Sequence, residues 1–165
     1  MGVFDWFRKR PTQQPAQPAP STQYHATLRT IRQLATYLAD TRVGLAWQFQ
    51  QIIQNHEAGG GRGIALGHYM QEYQRMKTQV RQSVNTCLQS GFYKTLPEDT
   101  QSIVAKRFQN ILALIHETEA ITFDAEKFRT YKEDIFPIEK KRQVRQSFID
   151  IGTRMIAEAQ GLPRL

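Results

Sequence analysis

The chain has 165 residues and a formal net charge of +7, from 22 lysines and arginines against 15 aspartates and glutamates. This length predicts one domain, and an apolar fraction of 40% is too high for a fully disordered chain and too low for one embedded in a membrane. The single cysteine, Cys87, excludes an internal disulfide framework and a cysteine-based zinc knuckle.

The first twenty residues are predicted to form a disordered arm, distinct from the rest of the chain. Aromatic rings sit at the level of lipid headgroups while neighbouring cations meet anionic lipid, so an aromatic-basic segment indicates contact with a membrane surface. Docking on a protein partner and packing on the chain's own bundle remain alternatives. Residues 11–20, PTQQPAQPAP, carry four prolines, which block helix and sheet and predict an extended linker. The predicted anchoring residues are Phe4, Trp6, Phe7, Arg8, Lys9 and Arg10.

The next segment has the pattern of a long helix. From Ser21 onward, seam positions recur at alternating intervals of four and three, which is the heptad rhythm of a coiled coil. The pattern predicts one helix from about Thr22 to Glu57, with Gly44 as the place for a kink. This helix is the predicted surface for self-association or for a protein partner. The seam positions are Tyr24, Leu28, Ile31, Ala35, Leu38, Arg42, Leu45, Phe49, Ile52 and His56.

The remaining chain also has helical periodicity. The glycine-rich run Gly59–Gly63 predicts a turn, and a second helix carries apolar residues from Leu66 to Leu88, ended by Ser90-Gly91. A third helix is predicted to begin around Pro97, where the acidic pair Glu98-Asp99 suits the positive end of the helix dipole.

Two further helices complete the predicted bundle. Thr122 or Asp124 is expected to cap a short fourth helix, Pro137 to break the chain, and a last helix to end at Gly161. No segment alternates with a period of two and hairpin-type turns, so no sheet is predicted. The expected fold is therefore all-α: a bundle of four to five helices over residues 21–165, preceded by the arm of residues 1–20.

The positive charge is concentrated in the second and last helices. Residues 58–94 carry five cations against one acid and residues 137–165 six against three, whereas residues 95–136 carry eight acids against five cations. Such basic faces attract phosphates, so nucleic-acid binding is the alternative function. A charged helix face is more often simply solvated surface, and these faces could also meet the same anionic membrane as the arm. No helix-turn-helix, zinc-finger or RNP-type motif supports nucleic-acid binding. The candidate anion-binding residues are Arg75, Arg81, Lys140, Lys141, Arg142 and Arg145.

Enzyme chemistry has weak support in the sequence. The pairs His68/Glu72 and His116/Glu119 each place an imidazole and a carboxylate on one helix face, but two ligands do not make a metal site. The glycine run lacks the Gly-Lys-Ser/Thr ending of a phosphate-binding loop. Cys87 is expected to be buried and inert. We therefore predict no catalytic residues, no metal and no cofactor; a small metal-dependent enzyme is the third hypothesis, which requires the two pairs to converge.

The leading hypothesis from the sequence is a non-enzymatic adaptor or scaffold. Its N-terminal arm would tether it to a membrane surface or a protein partner, and its first helix would bind a partner or a second copy. The arm places its cations after a short apolar stretch, which is the reverse of the order in a secretory signal. The longest purely apolar run, Ile111–Ile115, is too short for a membrane-spanning helix. A cytoplasmic protein, peripheral to the inner face of the membrane, is therefore expected.

Overall fold

The computed structural model describes residues 20–59, 66–130 and 137–165, with the backbone alone at Pro20 and residues 123–130. These ranges form α-helices and contain no strand, which confirms the predicted all-α bundle. The predictions for the arm, for most of the linker and for residues 60–65 and 131–136 lie outside the described residues. The helices are α1 (Pro20–Ala39), α2 (Gly44–Glu57), α3 (Leu66–Gln89), α4 (Gly91–Thr95), α5 (Glu98–Thr130) and α6 (Ile138–Gln160).

Helix α1 supplies the centre of the core. It packs against α6, α3 and α2, and its side chains at Ile31, Leu34 and Leu38 are fully buried. Burying such a side chain stabilises the folded state by about 1.5–3 kcal/mol relative to leaving it exposed to water. The apolar stripe of α1 therefore organises the packing of the bundle. The side chain of Thr27 donates to the carbonyl of Gln23 at 2.9 Å, within its own helix.

Helix α6 crosses α1 at unusually close range. A Cβ atom placed on Gly152 would lie 2.6 Å from the carbonyl oxygen of Ala35 and 2.6 Å from the Cβ of Ala39, so glycine is required at this crossing. Near the end of the chain, the Tyr24 hydroxyl donates to the carbonyl of Pro163 at 2.8 Å. These contacts pair the start of α1 with the end of the chain, so α1 and α6 run antiparallel.

The predicted continuous helix from Thr22 to Glu57 is wrong, because the chain breaks at residues 40–43 into α1 and α2. The Asp40 carboxylate accepts a hydrogen bond from the backbone N–H of Arg42 at 2.7 Å, which closes a tight turn. Gly44 then adopts φ +80°, and a Cβ there would lie 2.1 Å from the carbonyl oxygen of Tyr37. Only glycine accommodates this corner.

The predicted fourth helix is also wrong, since α5 continues through Thr122 and Asp124 to Thr130. The Thr122 hydroxyl donates to the carbonyl of Glu119 at 3.0 Å, one turn earlier in the same helix, and so does not cap a new one. Conversely, the sequence pattern does not predict the short helix α4. The Ser90 hydroxyl accepts from the backbone N–H of Tyr93 at 3.1 Å, so a residue expected only to end a helix also begins the next.

Candidate binding groove

An open groove of about 650 Å³ runs between α1 and α3. The two helices are antiparallel here, because the hydroxyl oxygen of Thr27 lies 3.2 Å from the carbonyl oxygen of Ser83, while the hydroxyl of Tyr37 donates to the carbonyl of Tyr69 at 3.0 Å. The groove uses the side of α1 that faces neither α6 nor the buried core. Its lining residues are His25, Leu28, Arg29, Arg32, Gln33, Thr36, Tyr37, Val43, Arg75 and Met76.

The apolar part of the groove is formed by four side chains. Leu28, Tyr37 and Met76 are half-buried and pack on the core, and Val43 is 54% exposed beside the α1–α2 corner. The hydrogen bond of Tyr37 to α3 holds its ring in place. Burial, and to a lesser degree the charges of Glu72 and Tyr69, raise the pKa of Tyr37, so its hydroxyl stays protonated.

The charged part of the groove is formed by arginines of α1. Arg29 and Arg32 are exposed and lie one turn apart, and neither forms an ion pair with a carboxylate in the part of the chain that the structure describes. Arg75, across the groove on α3, differs from them. Its guanidinium donates to both carboxylate oxygens of Glu72, at 2.8 and 2.6 Å, and this contact lowers the pKa of Glu72.

Three of the six predicted anion-binding residues, all of them arginines, are paired with acids of their own bundle. Arg75 pairs with Glu72, and Arg81 of α3 lies 3.0 Å from a carboxylate oxygen of Glu119 on α5. Arg142 of α6 pairs with Glu57 at 2.6 Å and with Glu139 at 2.9 Å. Each ion pair cancels part of the positive potential around its arginine, and it must be broken before a phosphate can take the place of the acid. These basic helix faces should therefore bind nucleic acid more weakly than the sequence alone suggests.

Lys141 departs most from its predicted place. The sequence places it among the anion-binding residues of a basic surface face, but only 1% of it is exposed, and its ammonium lies 3.2 Å from Nδ1 of His56 on α2. A buried cation does not belong to a surface stripe for phosphates. Arg145 and Lys140 are half-buried, and Arg145 lines a separate polar groove between α2 and α6 with its Nε buried and unpaired among the described atoms.

The two histidine–carboxylate pairs do not converge. Nδ1 of His116 lies 3.1 Å from Glu119, but the other oxygen of that carboxylate is held by Lys77 and Arg81, each at 3.0 Å. Glu72, the partner predicted for His68, is bound by Arg75 instead. Among the described residues, no three histidine, cysteine, aspartate or glutamate side chains are grouped as a metal site requires.

Cys87 lies in the core, as predicted. It is 1% exposed, and burial raises the pKa of its thiol, an effect that a hydrogen bond with Thr27 partly offsets. A thiol that is both covered and protonated is a poor nucleophile.

Arg29 and Arg32 are not among the predicted site residues, although the sequence contains a signal for them. Residues 21–39 contain no aspartate or glutamate, so Arg29 and Arg32 have no acid three or four positions away in either direction within α1. Arg75, by contrast, has Glu72 three positions earlier. The absence of a local acid on the same helix therefore distinguishes the two kinds of arginine from the sequence alone.

The anchoring residues predicted between Phe4 and Arg10 lie outside the described ranges. None of the described helices combines the length and apolarity needed to cross a bilayer. Comparison with known proteins finds no match: no protein-family model fits the chain, and no curated protein or solved structure is significantly similar to it.

Proposed function

We propose that this protein is a non-enzymatic adaptor: a helical bundle that binds a protein partner along its first helix and is tethered to an anionic membrane by its N-terminal arm. The observation that carries the proposal is the groove on α1. Its α1 arginines, Arg29 and Arg32, lack acid partners among the described residues, whereas Arg75 across the groove is ion-paired, as are several arginines elsewhere on the bundle: Arg81, Arg107, Arg142 and Arg154. Half-buried apolar side chains with the exposed Val43 among them, beside uncompensated charge, have the composition of a binding surface.

The tether is proposed from the sequence of the arm. Three aromatic side chains precede Arg8, Lys9 and Arg10, and a proline-rich linker separates them from α1. Each basic residue near an anionic membrane contributes about 1 kcal/mol, and the aromatic rings add interfacial anchoring. A linker of this composition lets the bundle stand away from the surface, with its groove accessible.

The tether is tested by flotation of the full chain with vesicles of phosphatidylcholine and phosphatidylserine. We expect the protein to float, and the triple charge reversal Arg8→Glu, Lys9→Glu and Arg10→Glu to abolish flotation. The matched control reverses three exposed cations of the body: Lys94→Glu, Lys106→Glu and Arg164→Glu. It changes the net charge equally and should still float.

Three outcomes would count against this tether. Equal loss of flotation in both triple variants means that overall charge, not the arm, holds the protein on the vesicle. Replacing Phe4, Trp6 and Phe7 by alanine tests whether these aromatic rings pack on the bundle itself. If they do, the variant should have a lower thermal midpoint than the wild type in the absence of lipid. Failure of the wild-type chain to float leaves the arm as a protein-docking segment.

A further inference from the structure

We propose that the groove between α1 and α3 binds an acidic amphipathic helix of a partner protein. This inference rests on the proposed adaptor function and names the chemistry of its partner. The occupant would place apolar side chains on Leu28, Met76 and Val43, and carboxylates against Arg29 and Arg32. Recognition of one face of a helix by a groove between two helices is a recurrent mode of peptide binding.

The length and direction of the groove suit a helix. The α1 residues that line it extend from His25 to Tyr37, about three turns, which at 1.5 Å per residue is on the order of 18 Å. They recur at intervals of three and four and so form one continuous face of α1. A ligand helix of similar length lying along this face repeats the same spacing and meets the groove at each turn.

The charge of the groove selects an acidic occupant. Arg29 and Arg32 lie one turn apart, so glutamates one turn apart on a ligand helix reach both guanidinium groups. Arg75 is neutralised by Glu72 and contributes little net charge. The chain's own arm is a poor occupant, because its cations at residues 8–10 would be repelled by the α1 arginines.

The apolar strip argues for a helix over the other anionic ligands. A lipid chain needs an enclosed apolar cavity, whereas this groove is open and also lined by polar Gln33 and Thr36. A polynucleotide would pair its phosphates with the arginines but leave Val43, already 54% exposed, without an apolar contact. A helix with one apolar stripe and flanking carboxylates satisfies both parts of the groove.

A second copy of this chain is a less suitable partner. The exposed Ile103 on α5, preceded by Asp99, is the nearest equivalent of the required ligand on the described surface. However, Lys106 follows one turn later on the same helix face and would approach the arginines of the groove. The charge pattern therefore favours a different protein.

The probe is a fluorescein-labelled peptide of about 16 residues, with leucines at helical intervals and glutamates flanking them. Fluorescence anisotropy with the full-length protein should give a Kd on the order of 10 μM, which rises with ionic strength. A shuffled peptide of the same composition should bind at least tenfold more weakly, because its apolar residues no longer share a face.

The deciding variant is the double reversal Arg29→Glu/Arg32→Glu. Both side chains are exposed and without described acid partners, so the thermal midpoint should be unchanged while peptide binding weakens at least tenfold. The matched control Lys94→Glu/Lys106→Glu makes the same change in net charge outside the groove and should bind the peptide as the wild type does. A peptide with lysine in place of glutamate should bind the Arg29→Glu/Arg32→Glu protein more tightly than the wild type.

Several results would overturn the proposal. They are the absence of peptide binding, equal binding of the shuffled peptide, or equal loss in the two double variants. Displacement of the peptide by a short single-stranded oligonucleotide as effectively as by unlabelled peptide would make the groove a phosphate site. Concentration-dependent self-association that the groove variant abolishes would make a second copy the occupant. Vesicle flotation is independent of this assay, so each result identifies whether the tether or the groove has failed.

Discussion

At the scale of single residues, Glu119 joins two helices by electrostatics. One oxygen of its carboxylate lies 3.0 Å from Nζ of Lys77 and 3.0 Å from the guanidinium of Arg81, both on α3. The hydrogen bonds from Lys77 and Arg81, with a smaller contribution from His116, lower the pKa of Glu119 from 4.5 to about 2. The folded state therefore favours the ionised carboxylate more strongly than the unfolded chain does.

We predict that Glu119→Gln destabilises the protein by about 1 kcal/mol at pH 7, a value typical of a partly exposed ion-pair network. Because the folded pKa is depressed, the contribution of Glu119 is complete above its unfolded pKa. It is lost as the pH falls from 4.5 toward 2. Urea unfolding of both proteins at several pH values should show the difference in free energy shrinking below pH 4.5.

The control for this prediction is Glu117→Gln. The ion pair of Glu117 with Arg154 is exposed on both sides, at 46% and 58%, so its loss should cost less than about 0.5 kcal/mol. A destabilisation by Glu119→Gln that stays the same from pH 7 to pH 3 would contradict the electrostatic account. It would assign the effect to altered packing between α3 and α5.

At the scale of elements, the corner between α1 and α2 depends on Gly44. We predict that Gly44→Ala costs at least about 2 kcal/mol, because a left-handed backbone alone disfavours alanine by about 1–2 kcal/mol and the new Cβ would overlap the carbonyl of Tyr37. Gly59→Ala shares the positive φ, +71°, but meets nothing within 4 Å, so it should cost about 1 kcal/mol. Gly91→Ala has neither problem and should be nearly neutral.

Chemical denaturation of these three variants separates strain from steric overlap. The difference between Gly44→Ala and Gly59→Ala measures the close approach to Tyr37, and the difference between Gly59→Ala and Gly91→Ala measures the backbone conformation. Equal costs at Gly44 and Gly59 would mean that the corner relaxes away from Tyr37. The tight turn would then not be what fixes the angle between α1 and α2.

The same corner explains which elements could be predicted from sequence. Helix α3 and the start of α6 follow from local signals: apolar periodicity, glycine and Pro137. The break after α1 has a weaker signal, because Gly44 predicts only a kink while Leu38, Arg42 and Leu45 keep the four-three spacing across it. Only the contact with Tyr37 reveals that glycine is required there. Thr122 resembles a cap because capping and bonding to the preceding turn use the same side chain.

At the scale of the whole molecule, the candidate site depends on how the helices assemble. Arg142 and Glu57 are 85 positions apart and pair through the contact between α2 and α6, so their mutual neutralisation has no sequence signature. The same holds for the burial of Lys141. Arg29 and Arg32 are the predictable part of the groove, since the absence of acids from residues 21–39 is visible in the sequence. The groove itself could not be predicted from the sequence, because it forms only when α3 packs beside α1.

Cys87 provides a measure of how cooperatively this assembly opens. It is buried in α3, and burial raises the pKa of its thiol, so both access and ionisation oppose reaction with a disulfide reagent such as DTNB. If α3 leaves the core only when the bundle unfolds, the labelling rate is proportional to the equilibrium constant for opening. A variant that destabilises a distant corner should then accelerate labelling of Cys87.

We therefore predict that Gly44→Ala, with its cost of at least about 2 kcal/mol, increases the labelling rate of Cys87 about 30-fold at pH 7. Gly91→Ala, which is closer to Cys87 in the chain but nearly neutral in stability, should leave the rate unchanged. The opposite pattern, with acceleration by Gly91→Ala alone, would mean that the end of α3 frays independently of α1 and α2.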